Sequence, residues 1–162
     1  MAWTYEGLVE GIRTYLVANL SDYADYRYVG PYYHVDSSSD FNNANNGLYP
    51  ALGIVLDVAQ FAQDQSMGAT NPVIKLSLYT MTRDTGARPA DEMPIFYRKV
   101  QALQNLVMTV AHQDASHFGL SDITAVSPIY GSFFPGFLGK QEGNRKGYNI
   151  AEFGLELHMT SI

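Results

Sequence analysis

The sequence predicts an α+β fold in which an antiparallel or mixed β-sheet is covered on one face by two amphipathic helices. Two segments repeat apolar residues at steps of three and four, as such helices do, and others alternate with the period of two typical of half-buried strands. Strands outnumber helices, which favours a two-layer sandwich. The 162 residues suffice for one domain, 1–162, with its own core.

The first predicted helix covers residues 4–20. Thr4 is a suitable N-cap for it. Its apolar stripe consists of Leu8, Ile12, Tyr15, Leu16 and Leu20. Gly7 and Gly11 each weaken a helix by about 1 kcal/mol relative to alanine. Their spacing of four indicates either a close approach by another backbone or two tolerated surface glycines.

Residues 21–49 begin with a tyrosine-rich stretch and continue into a polar one. The tyrosines at 23–33 predict one short strand, interrupted at Gly30 and Pro31, that packs on the core; a sugar-binding platform is the alternative. Residues 36–48 are rich in Asp, Ser, Asn and Gly and contain little to bury, so they predict a mobile loop.

The middle of the chain predicts two strands followed by the longer helix. Residues 50–61 and 73–84 alternate as an antiparallel pair joined by a long connection. The helix is predicted over 93–112, with Asp91 and Glu92 before it and Pro94 in its first turn. Its apolar stripe consists of Phe96, Val100, Leu103, Leu106, Val107, Val110 and Ala111.

The C-terminal part predicts a strand at 120–131, a long loop at about 131–147 and a final strand from residue 149. The final strand has the clearest alternation in the chain. One face consists of Ala151, Phe153, Leu155, Leu157 and Met159, and the other of Ile150, Glu152, Gly154, Glu156 and His158. A slip of one residue would exchange these faces, so the pattern fixes the register.

Composition restricts the class of function. The formal net charge is −6, which argues against a general nucleic-acid binder. Charged residues make up 16% of the chain, while 12 Tyr and 8 Phe are present, so much of the surface is expected to be neutral or aromatic and covered by a partner. There are no cysteines, and we expect no signal peptide and no membrane-spanning segment.

No catalytic or cofactor-binding motif is evident in the sequence. His112, Asp114 and His117 come closest to a metal-ligand group, but a spacing of five does not put two histidines on one helix face. A helix C-terminus followed by a turn explains them more simply. The G-x-S-x-G and phosphate-loop patterns are missing as well. The sequence therefore predicts an interaction protein with no enzymatic activity, no cofactor and no metal.

The candidate interaction residues lie in the Gly-rich segment 131–147. Phe133, Phe134 and Phe137 could pack over the core or act as anchors in a partner interface, and the lack of alternation favours the interface. Lys140, Arg145 and Lys146 face only one acid, Glu142, which gives a net charge of +2 within seven residues. We expect these six aromatic and basic residues to form a partner interface.

The order of elements resembles the tail terminator (tail completion) proteins of long-tailed bacteriophages. The resemblance rests on the helix EGLVEGIRTYLVANL, the strands PALGIVLDV and IKLSLYTMT, the helix IFYRKVQALQNLVMTVAHQD and the last strand YNIAEFGLELHM. It implies a ring of six copies that ends the tail tube and docks to the neck. In such a ring, the six aromatic and basic residues of 131–147 would contact a neighbouring subunit or the tail-tube protein. The implied partners are the chain itself, the tail-tube protein and connector proteins, and the implied location is the virion, after assembly in the host cytoplasm.

Two other functions remain open from the sequence. The chain could be a head–tail connector or a tail-tube-related protein, which would assemble into filaments rather than closed rings. It could instead be a small ligand-binding or metal-dependent α+β domain that uses the tyrosine-rich segment or the group at 112–117.

Overall fold

A computed structural model describes residues 3–30, 50–57, 60–62, 71–84, 89–113, 117–138 and 147–160. It has an α+β fold with a mixed sheet and two helices. The helices are α1 (Tyr5–Asn19) and α2 (Pro89–Met108). The strands are β1 (Tyr28–Gly30), β2 (Ala51–Leu56), β3 (Gln60–Ala62), β4 (Asn71–Asp84), β5 (Ile123–Leu138) and β6 (Gly147–Met159). The predicted loop at 36–48 lies outside the described residues.

The sheet has the strand order β1-β2-β4-β6-β5, and β3 also pairs with β4. The β1–β2 pair is parallel and all other pairs are antiparallel, so the sheet is mixed. The single strand predicted at 50–61 is wrong, because β2 ends at Leu56 and β3 begins at Gln60. β1 gives the tyrosine-rich segment its short strand, but Tyr23–Asp25 form a 3-10 helix instead of part of that strand.

Helix α1 confirms the predicted first helix. The hydroxyl of Thr4 accepts a hydrogen bond from the backbone N–H of Gly7 at 3.0 Å, which satisfies one free donor of the first turn. A Cβ atom at Gly11 would lie 2.5 Å from a methyl carbon of Leu120. The close neighbour of Gly11 is therefore a side chain, and not the backbone that the spacing of the glycines suggested.

Helix α2 begins at Pro89, four residues before the predicted start, so Asp91 and Glu92 lie inside its first turn. Proline suits the first helical position because its missing N–H would have no partner there. Pro94 then lies in the second turn, where it removes only one backbone hydrogen bond. The helix ends in a π-helical turn at Thr109–Gln113.

One buried cluster joins both helices to the sheet. It contains inward-facing residues of β2, β4 and β6 together with the apolar stripes of α1 and α2. Its helical members are Leu8, Ile12, Leu16, Phe96, Val100, Leu103, Leu106, Val107 and Val110. Its members on β6 are Ala151, Phe153, Leu155, Leu157 and Met159, so the face predicted from the alternation of this strand is confirmed as the buried one.

The turn between α2 and β5 anchors an aromatic side chain in this core. His117, Phe118 and Gly119 have φ values of 46°, 62° and 71°, in the left-handed region that disfavours bulky residues. Phe118 is nevertheless fully buried and packs edge-to-face on Tyr15, with ring centroids 5.4 Å apart. Burial of the ring thus compensates for an unfavourable backbone conformation.

A buried lysine links α2 to the segment after α1. The Nζ atom of Lys99 lies 3.2 Å from Asp22 Oδ2, 3.9 Å from Asp25 Oδ2 and 4.4 Å from the ring centre of Tyr26. The hydroxyl of Tyr26 lies 2.6 Å from that of Thr80 on β4. Only 6% of the Lys99 side chain is exposed, so these partners compensate for the burial of its positive charge.

We expect Lys99→Met to lower the free energy of unfolding by about 3 kcal/mol, because the partly buried Asp22 carboxylate would lose its cation. Urea unfolding measures this change. Arg98→Met, at the exposed neighbouring position of the same helix, is the matched control and should change stability by less than about 0.5 kcal/mol. Equal effects of the two substitutions would contradict the role assigned to Lys99.

Candidate functional site: the β5 edge

Strand β5 forms one edge of the sheet and pairs with β6 alone among the described strands. It spans sixteen residues, Ile123–Leu138, whereas β1 at the other edge spans three. The predicted loop at 131–147 is therefore wrong in its first half, because the backbone of 131–138 continues the strand. A long free edge presents a row of backbone donors and acceptors to any incoming strand.

Three bulges interrupt the pairing of β5 with β6. Ile129 is an extra residue between the pairs Pro128–Leu155 and Tyr130–Gly154. Further register shifts lie between Ile123 and Ala125 and between Phe134 and Phe137. Each bulge resets which face the following side chains occupy, so the strand has no regular alternation in its sequence. This explains why the segment was predicted to be a loop.

The chemistry of β5 is unusual for an edge strand. None of its sixteen residues is charged, although edges are commonly protected by lysines. Residues 128–131 are exposed in succession. They include Ile129 with 43% and Tyr130 with 47% of their surface accessible. Pro128 fits an edge position because it has no N–H to offer a neighbouring strand.

Tyr130 is held against β6 by a glycine and a carboxylate. Its ring covers Gly154, where an added Cβ atom would lie 2.5 Å from the ring. Its hydroxyl donates to Glu152 Oε1 at 2.5 Å, and the hydroxyl of Tyr79 on β4 donates to the same oxygen at 2.9 Å. One carboxylate oxygen therefore links β4, β6 and the edge strand.

The surroundings of these tyrosines favour the neutral phenol. Burial, together with the hydrogen bond to Glu152, raises the pKa of Tyr79 well above its usual range. The same two causes raise the pKa of Tyr130. Burial also raises the pKa of Tyr26, which lies on the other side of the sheet. The three phenols remain protonated at pH values where a free tyrosine would ionise.

The Glu152 side of the sheet also carries a second, smaller apolar cluster. It consists of Ala51, Tyr79, Met81 and Ile150, with Tyr28 and Val55 packed against it. Tyr28 thus packs on the sheet, which supports packing as the role of this tyrosine.

The structure describes only part of the six residues that were predicted to form an interface. The backbones of Phe133, Phe134 and Phe137 lie in β5, where they pair with Ala151, Ile150 and Tyr148 respectively. Their side chains lie outside the described part, and so do Lys140, Arg145 and Lys146. The three phenylalanines lie near the end of the β5–β6 hairpin, where Leu138 pairs with Gly147. The three basic residues lie in the sequence between these two paired residues.

The two histidines of the group at 112–117 lie in turns after α2, and not on the β5 edge. His112 is exposed in the π-helical turn, His117 lies in the left-handed turn, and Asp114 is not among the described residues. Within the described part, no three His, Cys, Asp or Glu side chains form a group suited to a metal ion. Likewise, no described helix is long and apolar enough to cross a membrane.

A groove beside Lys99 is a second candidate for binding. It has a volume of about 420 Å³ and runs between α2 and the segment after α1. Asp22 and Asp25 line one part of it, and Ile95, Arg98 and Lys99 line another. Since Lys99 is already paired with Asp22, the groove offers a mixed rather than a clearly cationic or anionic surface.

Sequence reasoning missed the contacts of Tyr79, Tyr130 and Glu152. Glu152 was correctly placed on the polar face of the last strand, but its partners come from strands about 20 and 70 positions away in the chain. Gly154 was the one sequence signal of this contact, because a glycine inside a strand often marks a place where a neighbouring group approaches closely.

Comparison with models of known protein families and with curated protein sequences finds no match to this chain. The function proposed for it therefore rests on its own sequence and geometry.

We expect the protein to lose stability as the pH rises above about 10, where unfolded tyrosines ionise. The raised pKa of Tyr79 keeps its phenol neutral in the folded state. The unfolded state therefore loses this proton at a lower pH than the folded state does, and unfolding becomes more favourable as the pH rises. The contribution of Tyr79 to the free energy of unfolding is complete below about pH 10 and decreases above it.

Chemical denaturation between pH 8 and pH 11 tests this expectation. Tyr79→Phe should flatten the decline, whereas Tyr5→Phe, at an exposed tyrosine of α1, should leave it unchanged. An identical slope in wild type and Tyr79→Phe would refute the assignment.

Proposed function

We propose that this chain is a structural virion protein that caps a phage tail tube as a ring, stops tube elongation and provides a docking surface for the neck. The observation that carries the proposal is the sixteen-residue uncharged edge of β5, with exposed Ile129 and Tyr130. An uncharged, partly apolar edge of this length is an aggregation hazard for a free subunit and a ready binding surface for an assembling one.

The layer arrangement supports the same function. In this proposal the two helices cover one face of the sheet, as their shared core cluster with β2, β4 and β6 suggests. The β5 edge and the face carrying Glu152 are then available for contacts with other subunits. The net charge of −6 would keep free subunits soluble before assembly.

A closed ring needs two different patches on each subunit, because its contacts are heterologous. We assign one patch to the outer half of the β5–β6 hairpin, with Phe133, Phe134 and Phe137. The basic residues Lys140, Arg145 and Lys146 extend this patch toward a neighbouring subunit or the tube protein. No catalytic step is part of the proposal.

The test is the mass of the purified protein by light scattering over a range of concentrations, with negative-stain images of each peak. Rings of six copies at high concentration are the expected result. Filaments would instead favour a tail-tube-related protein. A strict monomer at every concentration would overturn self-assembly and favour ligand binding in the groove beside Lys99.

Replacing Phe133, Phe134 and Phe137 together with serine should abolish rings while the protein stays folded. Aromatic anchors concentrate binding energy at interfaces, so their loss should remove assembly before stability. The matched control replaces Ile95, Tyr97 and Met108, three exposed apolar residues of α2, with serine. Loss of soluble protein in the phenylalanine variant alone would show that these side chains belong to the core.

A further inference from the structure

The free edges of the described sheet differ greatly in length. β5 offers sixteen residues at one edge, β1 offers three at the other, and β3 adds three beside β4. A partner strand that pairs along most of β5 must be of similar length. Within the described part of a second copy, only β5 provides a long strand with a free edge.

We propose that two unassembled copies of this chain pair their β5 edges antiparallel about a two-fold axis. Such a contact is isologous, since each copy uses the same surface. It goes beyond the proposed ring, which requires heterologous contacts. One edge cannot serve both contacts at once, so the pair must open as the ring forms.

The charge of the strand favours pairing with itself. In a two-fold pair, residues near the axis lie close to their own copies, so any charged residue there would face a like charge. β5 has no charged residue along its whole length, whereas β4 carries Lys75 and β6 carries Glu152 and Glu156. Self-pairing of β5 is therefore free of like-charge repulsion within the strand.

The length of β5 is sufficient for a stable contact. Sixteen residues at ~3.4 Å each extend over ~54 Å, and a strip ~10 Å deep gives up to ~1,100 Å² buried over both copies. That value lies near the lower limit for specific interfaces, about 1,000 Å². Pro128 and Pro135 each lack an N–H donor, and three bulges bend the strand, so the pair should be reversible.

Single cysteines test the geometry directly, because the natural chain has none. Thr124, Pro128, Ile129 and Ser132 are each replaced by cysteine, and disulfide formation is followed at low protein concentration, below the onset of rings. An antiparallel two-fold pair predicts cross-linked dimers whose yield peaks at the position nearest the axis, where the Cα atoms come within about 7 Å. Equal, negligible yields at all four positions would overturn the proposal.

A charged substitution provides the second test. Ile129→Lys places two like charges on the paired edges and should raise the dimer dissociation constant at least tenfold, as measured by analytical ultracentrifugation. Val17→Lys is the matched control, because Val17 is 55% exposed on α1, and it should leave dimerisation unchanged. A wild-type protein that stays at its monomer mass of 18.0 kDa under these conditions would overturn the inference.

The two proposals fail in different ways. Dimers without rings at any concentration would leave the pairing intact and overturn the ring. Rings that arise from a monomer, with no β5 cross-link, would support the ring and refute the pairing.

Discussion

The pairing of β6 with β4 is the constraint on which the rest of the structure depends. The two strands are in register over twelve residue pairs, from Val73–His158 to Asp84–Gly147. This register places the apolar residues of β6 in the larger core cluster and Glu152 on the opposite face. A shift by one residue would bury two glutamates in this cluster, at a cost far greater than that of a lost hydrogen bond. The contact of Tyr79 with Glu152 follows from this alignment, and β5 is added along the other edge of β6.

The sequence was a reliable guide wherever one period continued without interruption. The stripe of α1 and the alternation of β4 and β6 predicted the members of the larger core cluster, although Tyr79, Met81 and Ile150 on the opposite face are buried as well. It was a poor guide to β5, since bulges at Ile129 and between Phe134 and Phe137 break the period of two. The early start of α2 at Pro89 was missed because Pro94 also resembles a first-turn proline. The Tyr79–Glu152–Tyr130 contact depends on the alignment of three strands, which no local pattern encodes.

The fold buries a charged side chain in one place and has no charged side chain along its longest edge strand. It buries Lys99 between two helical segments, where the cation needs Asp22 and the ring of Tyr26, yet it leaves its longest edge without any charge. The prolines and bulges of β5 are then the main devices in the described structure that oppose uncontrolled pairing at this edge. Backbone geometry here takes the protective role that charged side chains have in many other sheets, and it does so without repelling an intended partner.

The two ends of the described chain lie side by side. The indole N–H of Trp3 donates to the carbonyl oxygen of Thr160 at 3.4 Å, next to the point where β6 ends. The hairpin end at Leu138 and Gly147 is the full length of β6 away, ~44 Å for thirteen residues. A fluorescent label or affinity tag attached near either end would therefore be remote from the outer half of the hairpin. The same proximity means that a linker from residue 160 to residue 3 would be short, as circular permutation of residues 3–160 requires.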